Sequence, residues 1–145
     1  MASRVDLLDK NVNFGAFTWS NVPISGPNPN QEIDLEFSRW SEDGAPNAQD
    51  VIQPWETSGN RFRWYMNLNE PVSQHSFKWQ PQNIMFKSVH QGVVISSWTY
   101  TGPDNPIPGE NVNFRFNLWL VKGSSIPPSN DQEAEVIIKN FQFQE

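Results

Sequence analysis

The stretch Glu32-Ile-Asp-Leu-Glu-Phe37 constrains the fold more than any other part of the chain. Its polar and apolar residues alternate strictly, which is the period of a strand with one buried face. Glu32, Asp34 and Glu36 are therefore expected on one face of a strand. Like charges about 7 Å apart repel each other by about 2 kcal/mol at an effective dielectric constant of about 20. A row of three carboxylates thus indicates a function rather than a structural advantage.

Two interpretations of this acidic row remain open at the level of the sequence. In the first, the row is the solvated face of an edge strand, where water screens the charges and acidic residues discourage aggregation. In the second, crowded carboxyl groups push their proton affinities apart, so that one acts as a nucleophile and another as a general acid. That pairing is the chemistry of glycoside hydrolysis, and a carboxyl separation of about 5 Å gives retention of anomeric configuration.

The rest of the chain has the pattern of an all-β protein. Turn-forming residues recur about every ten residues, and no segment shows a sustained helical period. At 145 residues the chain fits a single domain, 1–145. The alternation of polar and apolar residues predicts further strands over 11–19, 48–55, 61–66, 74–79, 111–120 and 134–143. It also predicts a hairpin over 83–98 that turns at Gln91-Gly92.

A second polar face is predicted on the strand over 111–120. Asn113, Arg115, Asn117 and Trp119 alternate there with apolar residues. Amides and a guanidinium can bind sugar hydroxyls, and a flat ring can stack on a sugar. The chain has seven Trp and ten Phe, of which we expect most Phe in the core and a few Trp in a cleft. The predicted substrate-binding residues are Trp19, Gln53, Trp55, Arg115, Asn117 and Trp119.

The motif Glu32-x-Asp34-x-Glu36 resembles the signature of glycoside hydrolase family 16, which includes laminarinases, lichenases and carrageenases. Other parts of the chain are similar to flanking segments of that family, namely Phe14–Trp19, His75–Trp79, Asn83–Phe86, Asn113–Trp119 and Ala134–Ile138. The resemblance implies a jelly-roll (concanavalin A-like) sandwich of two antiparallel sheets. It implies Glu32 as nucleophile, Glu36 as acid/base and Asp34 as the residue that tunes both. The implied reaction is retaining endo-hydrolysis, or transglycosylation, of a β-linked polysaccharide such as a β-glucan.

Composition excludes several other functions. The absence of cysteine excludes disulfides, thiolate catalysis and zinc fingers. A net charge of −6, with ten scattered Lys and Arg, disfavours a nucleic-acid binder and leaves a polysaccharide or oligosaccharide as the expected partner. The two histidines have no metal-ligand spacing, so we expect neither a metal nor a cofactor. The first ten residues lack the apolar run of a signal peptide, and no stretch predicts a membrane span. The chain as given is therefore expected in the cytoplasm. If it is a fragment of a longer exported enzyme, the expected location is secreted or periplasmic.

The family that the chain resembles generally has further strands ahead of the segment matched by 12–19. We therefore expect an incomplete sandwich with unpaired sheet edges, through which the chain forms a homodimer with weakened or absent catalysis. Two alternatives to the enzyme stay open. One is a non-catalytic, lectin-like carbohydrate-binding module, and the other is an inactive structural fragment of a family 16 enzyme.

Overall fold

The computed structural model describes residues 4–109, 111–123 and 125–144. Apart from a short 3-10 turn at Val5–Leu7, the regular structure in these residues is β. The strands are β1 (Val12–Ser20), β2 (Ile33–Phe37), β3 (Ala48–Ile52), β4 (Arg61–Trp64), β5 (Gln74–Gln80), β6 (Asn83–His90), β7 (Val93–Tyr100) and β8 (Val112–Leu120). The predicted hairpin is confirmed, because β6 and β7 pair across a turn in which Gln91 and Gly92 have φ of 50° and 77°.

The strands form two antiparallel sheets. One has five strands in the order β4-β3-β2-β1-β8, and the other has three in the order β5-β6-β7. The prediction of an all-β sandwich of two antiparallel sheets is confirmed. The jelly-roll order of connections stays a prediction from the resemblance.

The core lies between the two sheets, and β2 shows how the sequence creates it. Ile33, Leu35 and Phe37 are buried, as their alternation predicts. They belong to the same apolar cluster as Ile84 and Phe86 of the smaller sheet. Removing this apolar surface from water is the main favourable contribution to folding.

Several predicted strand boundaries are wrong, and three of them have an identifiable local reason. β2 begins at Ile33, because Gln31 has a left-handed backbone with φ of 55°. β3 ends at Ile52 instead of Trp55, just before Pro54, which has no N–H for a ladder. β4 ends at Trp64 instead of Met66.

The Asn47 side chain explains the early end of β4. Its Oδ1 accepts a hydrogen bond from the Met66 N–H at 2.7 Å, and its Nδ2 donates to the Met66 carbonyl at 2.9 Å. One buried amide therefore satisfies the backbone groups that a neighbouring strand would otherwise pair. The alternation over 61–66 is nevertheless reflected in the packing, since Phe62, Trp64 and Met66 all contact the core.

The predicted closing strand over 134–143 is wrong. The described residues of this segment form no strand and make no backbone hydrogen bond to a neighbouring strand. Ala134 and Val136 instead pack against the core, and the Phe141 ring stacks on Phe114 of β8 with centroids 4.8 Å apart. The alternation in this segment thus reflects side-chain contacts, without the ladder that a strand requires.

Large apolar side chains are exposed along β8 and the segment that follows it. β8 is an edge of the five-stranded sheet. The exposed residues are Phe116, Leu118, Ile137, Phe141 and Phe143. Exposed apolar side chains next to a sheet edge are typical of an interaction site.

We expect this edge to pair in a homodimer. Light scattering at micromolar concentration should give twice the chain mass of 16.7 kDa. Leu118→Lys should shift the protein to monomer, because it places a charge in the apolar surface. Val22→Lys, at an exposed loop position remote in sequence, is the matched control and should leave the dimer intact. A monomeric parent protein would contradict the expectation.

Candidate functional site

The acidic row lies on the outer face of the five-stranded sheet, opposite the core. In the register of the sheet, Glu36 pairs with Gly15 of β1 and Gln49 of β3. Asp34 pairs with Phe17 and Val51 in the next row of the same face. β2 is the middle strand of this sheet, so the interpretation of the row as a solvated edge strand is wrong. Since Asp34 is only 4% exposed, water does not explain the crowded carboxyl groups either.

Asp34 is the residue best placed to carry a proton. Burial, followed by the neighbouring charges of Glu32 and Glu36, raises its pKa well above the ordinary value. The contact with Glu32 also raises the pKa of Asp34, whereas the contact with Asp34 lowers that of Glu32. Gln53 Nε2 donates to Asp34 Oδ2 at 2.9 Å and fixes the side chain from the other side.

Glu32 lies immediately before β2, where the Gln53 N–H still donates to its carbonyl at 3.3 Å. Burial is the largest cause that raises the pKa of Glu32, and the charge of Glu36 raises it further. The contact with Asp34 acts in the opposite direction. Glu32 is therefore a partly desolvated carboxyl whose pKa is raised overall, with the contact to Asp34 offsetting part of that rise.

Glu36 is held by two amide side chains on the flanking strands. Asn13 Nδ2 donates to Glu36 Oε1 at 2.9 Å, and Gln49 Nε2 donates to Oε2. Asn13 Oδ1 and Gln49 Oε1 are both buried without a hydrogen-bond partner. Two N–H donors suit an ionised Glu36, and rotating either amide would present an oxygen to a protonated one. The two amides therefore fix the position of the Glu36 side chain.

The predicted residues of β8 lie beside the carboxylates. Trp119 is opposite Asn13 in the register and is 44% exposed. Asn117 is opposite Gly15, and a Cβ at Gly15 would collide with the Asn117 amide. Glycine at this position therefore lets the Asn117 side chain lie across β1 towards the acidic row.

Trp55 and Trp19 also lie on this side of the sheet, and each contacts an arginine. The Arg61 guanidinium lies 5.1 Å from the ring centroid of Trp55, and that of Arg115 lies 5.9 Å from that of Trp19. Trp55 follows β3 in an irregular segment, where its N–H donates to Gln53 Oε1 at 2.9 Å. Gln53 thus orients both Asp34 and Trp55, and Trp55 remains 47% exposed.

Four residues of this face were not predicted as site residues: Asn13, Gln49, Arg61 and Arg63. All four occupy positions that the alternation assigns to the outer side of the sheet, since their neighbours point to the core. That alternation was the signal in the sequence that could have identified these four residues. It could not reveal which of the outward polar groups bind Glu36.

Asp50, on the opposite, inner face of the same sheet, was not predicted as a buried carboxyl group either. Its register partners are Leu35 and Phe62, and it is 3% exposed. Burial raises the pKa of Asp50 to about 7, and the neighbouring Trp64 side chain acts to lower it. This carboxyl lies in the core and is separate from the acidic row.

The described part of the chain contains at least two cavities. One of about 270 Å³ lies between the segments 57–60 and 98–103. The other, of about 190 Å³, borders Trp119, Pro128 and Ala134. Glu32, Asp34 and Glu36 line neither of them.

Among residues 4–109, 111–123 and 125–144, no group of three or more acidic, His or Cys side chains is arranged to hold a metal ion. The described part of the chain also has no helix with the length and hydropathy needed to cross a membrane. Comparison of the chain with protein-family models, with curated proteins and with solved structures finds no match.

Proposed function

We propose that this chain is a retaining endo-glycosidase or transglycosylase of the family 16 type that acts on a β-linked polysaccharide. The observation that carries the proposal is the row of three carboxyl groups across the middle strand of a sheet. Each of the three has a different hydrogen-bonding environment. A structural role does not account for the electrostatic cost of this row, whereas a double displacement at an anomeric carbon requires two such groups.

The proposed mechanism gives each carboxyl group one task. Glu32 attacks the anomeric carbon and forms a glycosyl ester, while Glu36 donates its proton to the departing glycosidic oxygen. Glu36 then takes a proton from water, whose oxygen attacks the anomeric carbon and releases Glu32. In transglycosylation, a sugar hydroxyl replaces the water. Asp34 keeps its proton throughout and stabilises the negative charge that returns to Glu32.

The proposal is tested by incubating the purified protein with β-glucans and β-galactans and measuring new reducing ends. Cleavage of at least one polymer at internal bonds, with rapid loss of viscosity, is the expected result. The absence of new reducing ends on the whole panel, with folded protein, would overturn it.

Trp119 is an accessible aromatic platform on the same face of the sheet as the acidic row. Trp119→Ala should weaken oligosaccharide binding by about 1 to 3 kcal/mol, the range known for stacking of nucleic-acid bases on aromatic side chains. The free energy of unfolding should change little, because the ring is 44% exposed. Calorimetry with an oligosaccharide and urea unfolding measure the two effects. A variant that fails to fold would show that Trp119 is part of the core.

A non-catalytic carbohydrate-binding module is the second candidate. Exposed Trp55 and Trp119 favour it, because such rings can stack on sugars without any catalytic step. Binding of a polysaccharide without any product would support this module over the enzyme.

A further inference from the structure

The arginines of the chain divide into two groups. Two of the five hold the N-terminal segment: Arg4 pairs with Asp6 at 3.1 Å, and Arg39 donates to the Leu8 carbonyl at 2.9 Å. The other three, Arg61, Arg63 and Arg115, have outward positions on the five-stranded sheet. The three arginines that do not hold the N-terminal segment therefore share a face with the acidic row.

Arg61 and Arg115 flank the acidic row from opposite edges of the sheet. The register places Arg115, Phe17, Asp34, Val51 and Arg61 in one line across β8, β1, β2, β3 and β4. At about 4.8 Å between neighbouring strands, each arginine Cα is about 10 Å from that of Asp34. A ligand that crosses the strands over the carboxyl groups would meet one guanidinium on each side.

These arginines do not neutralise the carboxyl groups. In the part of the chain that the structure describes, Arg63 pairs with Glu42 at 3.7 Å, and neither Arg61 nor Arg115 forms an ion pair. Both instead lie over Trp rings as cation–π contacts, and Arg115 donates one hydrogen bond, to Asn21 Oδ1 at 2.9 Å. A cation–π contact restrains a guanidinium and leaves most of its N–H groups for another acceptor.

The planar fork of N–H donors in arginine matches an oxyanion that accepts two hydrogen bonds. Neutral sugar hydroxyls do not require a full positive charge at each end of a site. We propose that the substrate is an anionic polysaccharide, with carboxylate or sulfate groups on sugars at both sides of the reacting one. Arg61 and Arg115 bind these groups; the inference rests on the proposed glycosidase and specifies its substrate class.

Because of the net charge of the chain, this proposal predicts a specific dependence of binding on salt. With a net charge of −6, the protein as a whole repels a polyanion, and added salt would screen that repulsion and strengthen binding. Direct contacts between arginines and anionic groups are weakened by salt. The sign of the salt dependence therefore distinguishes contacts at this face from general electrostatics.

The test measures binding separately from turnover. Glu36→Gln is used as the background so that the polymer is not cleaved during the measurement. The probes are a β-1,3-glucan and a β-galactan, each compared with its own carboxymethyl and sulfate derivatives, which separate the two sources of negative charge. Arg61→Gln/Arg115→Gln is compared with Lys78→Gln/Lys87→Gln, which removes the same charge from exposed positions on the other sheet.

At least one anionic derivative should bind about tenfold or more tightly than its parent, since each charged hydrogen bond contributes about 1.5 to 3 kcal/mol. The arginine double variant should lose that preference and the lysine double variant should keep it; salt should weaken the preferred complex. Equal binding of parents and derivatives, an unchanged preference in the arginine variant, or no binding at all would overturn the inference. The release of reducing ends by the parent protein tests the proposed glycosidase activity independently of binding. Cleavage of neutral polymers without an anionic preference would therefore overturn only the proposed substrate class.

Discussion

Glu36→Gln should lower the rate of polysaccharide cleavage by about 10²- to 10⁴-fold, the range for removing a positioned proton donor or acceptor, and Glu32→Gln should abolish cleavage because the nucleophile is lost. Glutamine preserves the size of each side chain but can neither attack an anomeric carbon nor donate an acidic proton. Loss of reducing-end release, with unchanged thermal unfolding, is the expected result.

The two variants should differ on substrates with good leaving groups. Glu36→Gln should retain much more activity on an activated aryl glycoside than on the polysaccharide, because such a leaving group needs little protonation. Glu32→Gln should lose both activities, because no ester can form. Glu70→Gln, at an exposed position, is the matched control and should behave as the parent protein. Equal losses of Glu36→Gln on both substrates would contradict the acid/base assignment.

Asp50→Asn should stabilise the protein at alkaline pH. Burial raises the pKa of Asp50 from 3.8 to about 7 in the folded state. The unfolded chain therefore releases this proton more readily, so the parent protein loses stability as pH rises from about 4 to about 7. A shift of about 3 pH units corresponds to about 4 kcal/mol. The advantage of Asp50→Asn should grow by roughly that amount between pH 4 and pH 8.

Urea unfolding at several pH values measures this difference. Burial holds the pKa of His75 at about 4, below its ordinary 6.5, so His75 costs stability as pH falls through that interval. His75 is present in both proteins, and its contribution cancels in their difference. Glu133→Gln, at an exposed position, should show no such pH-dependent gain. A constant difference between Asp50→Asn and the parent protein would contradict the proposed protonation of Asp50.

The sequence predicts those parts of the fold in which a local pattern has one structural meaning. Alternation in β2 gave the correct buried face, and Gln91-Gly92 gave the correct hairpin. The segment 134–143 has a similar alternation but no strand, because the pattern reports which side chains contact the core and not whether the backbone has a partner.

The candidate site was predictable in its residue types and only partly in its contacts. The carboxyl row and the polar face of β8 follow from spacing alone. The contacts of Glu36 with Asn13 and Gln49 depend on the register of three strands. The cation–π contact of Arg115 with Trp19 likewise joins residues that are far apart in the sequence. Asp50 was missed because the segment from Ala48 to Ile52 has a polar and an apolar residue on each of its faces.

The stereochemistry of cleavage tests the central claim most directly. Proton NMR of a β-linked polysaccharide, recorded during the first minutes of digestion, distinguishes the two anomers of the newly formed reducing end before they interconvert. Double displacement at the acidic row predicts that the β-anomer appears first and that the α-anomer follows by mutarotation. Initial appearance of the α-anomer, or no new reducing end, would contradict a retaining glycosidase.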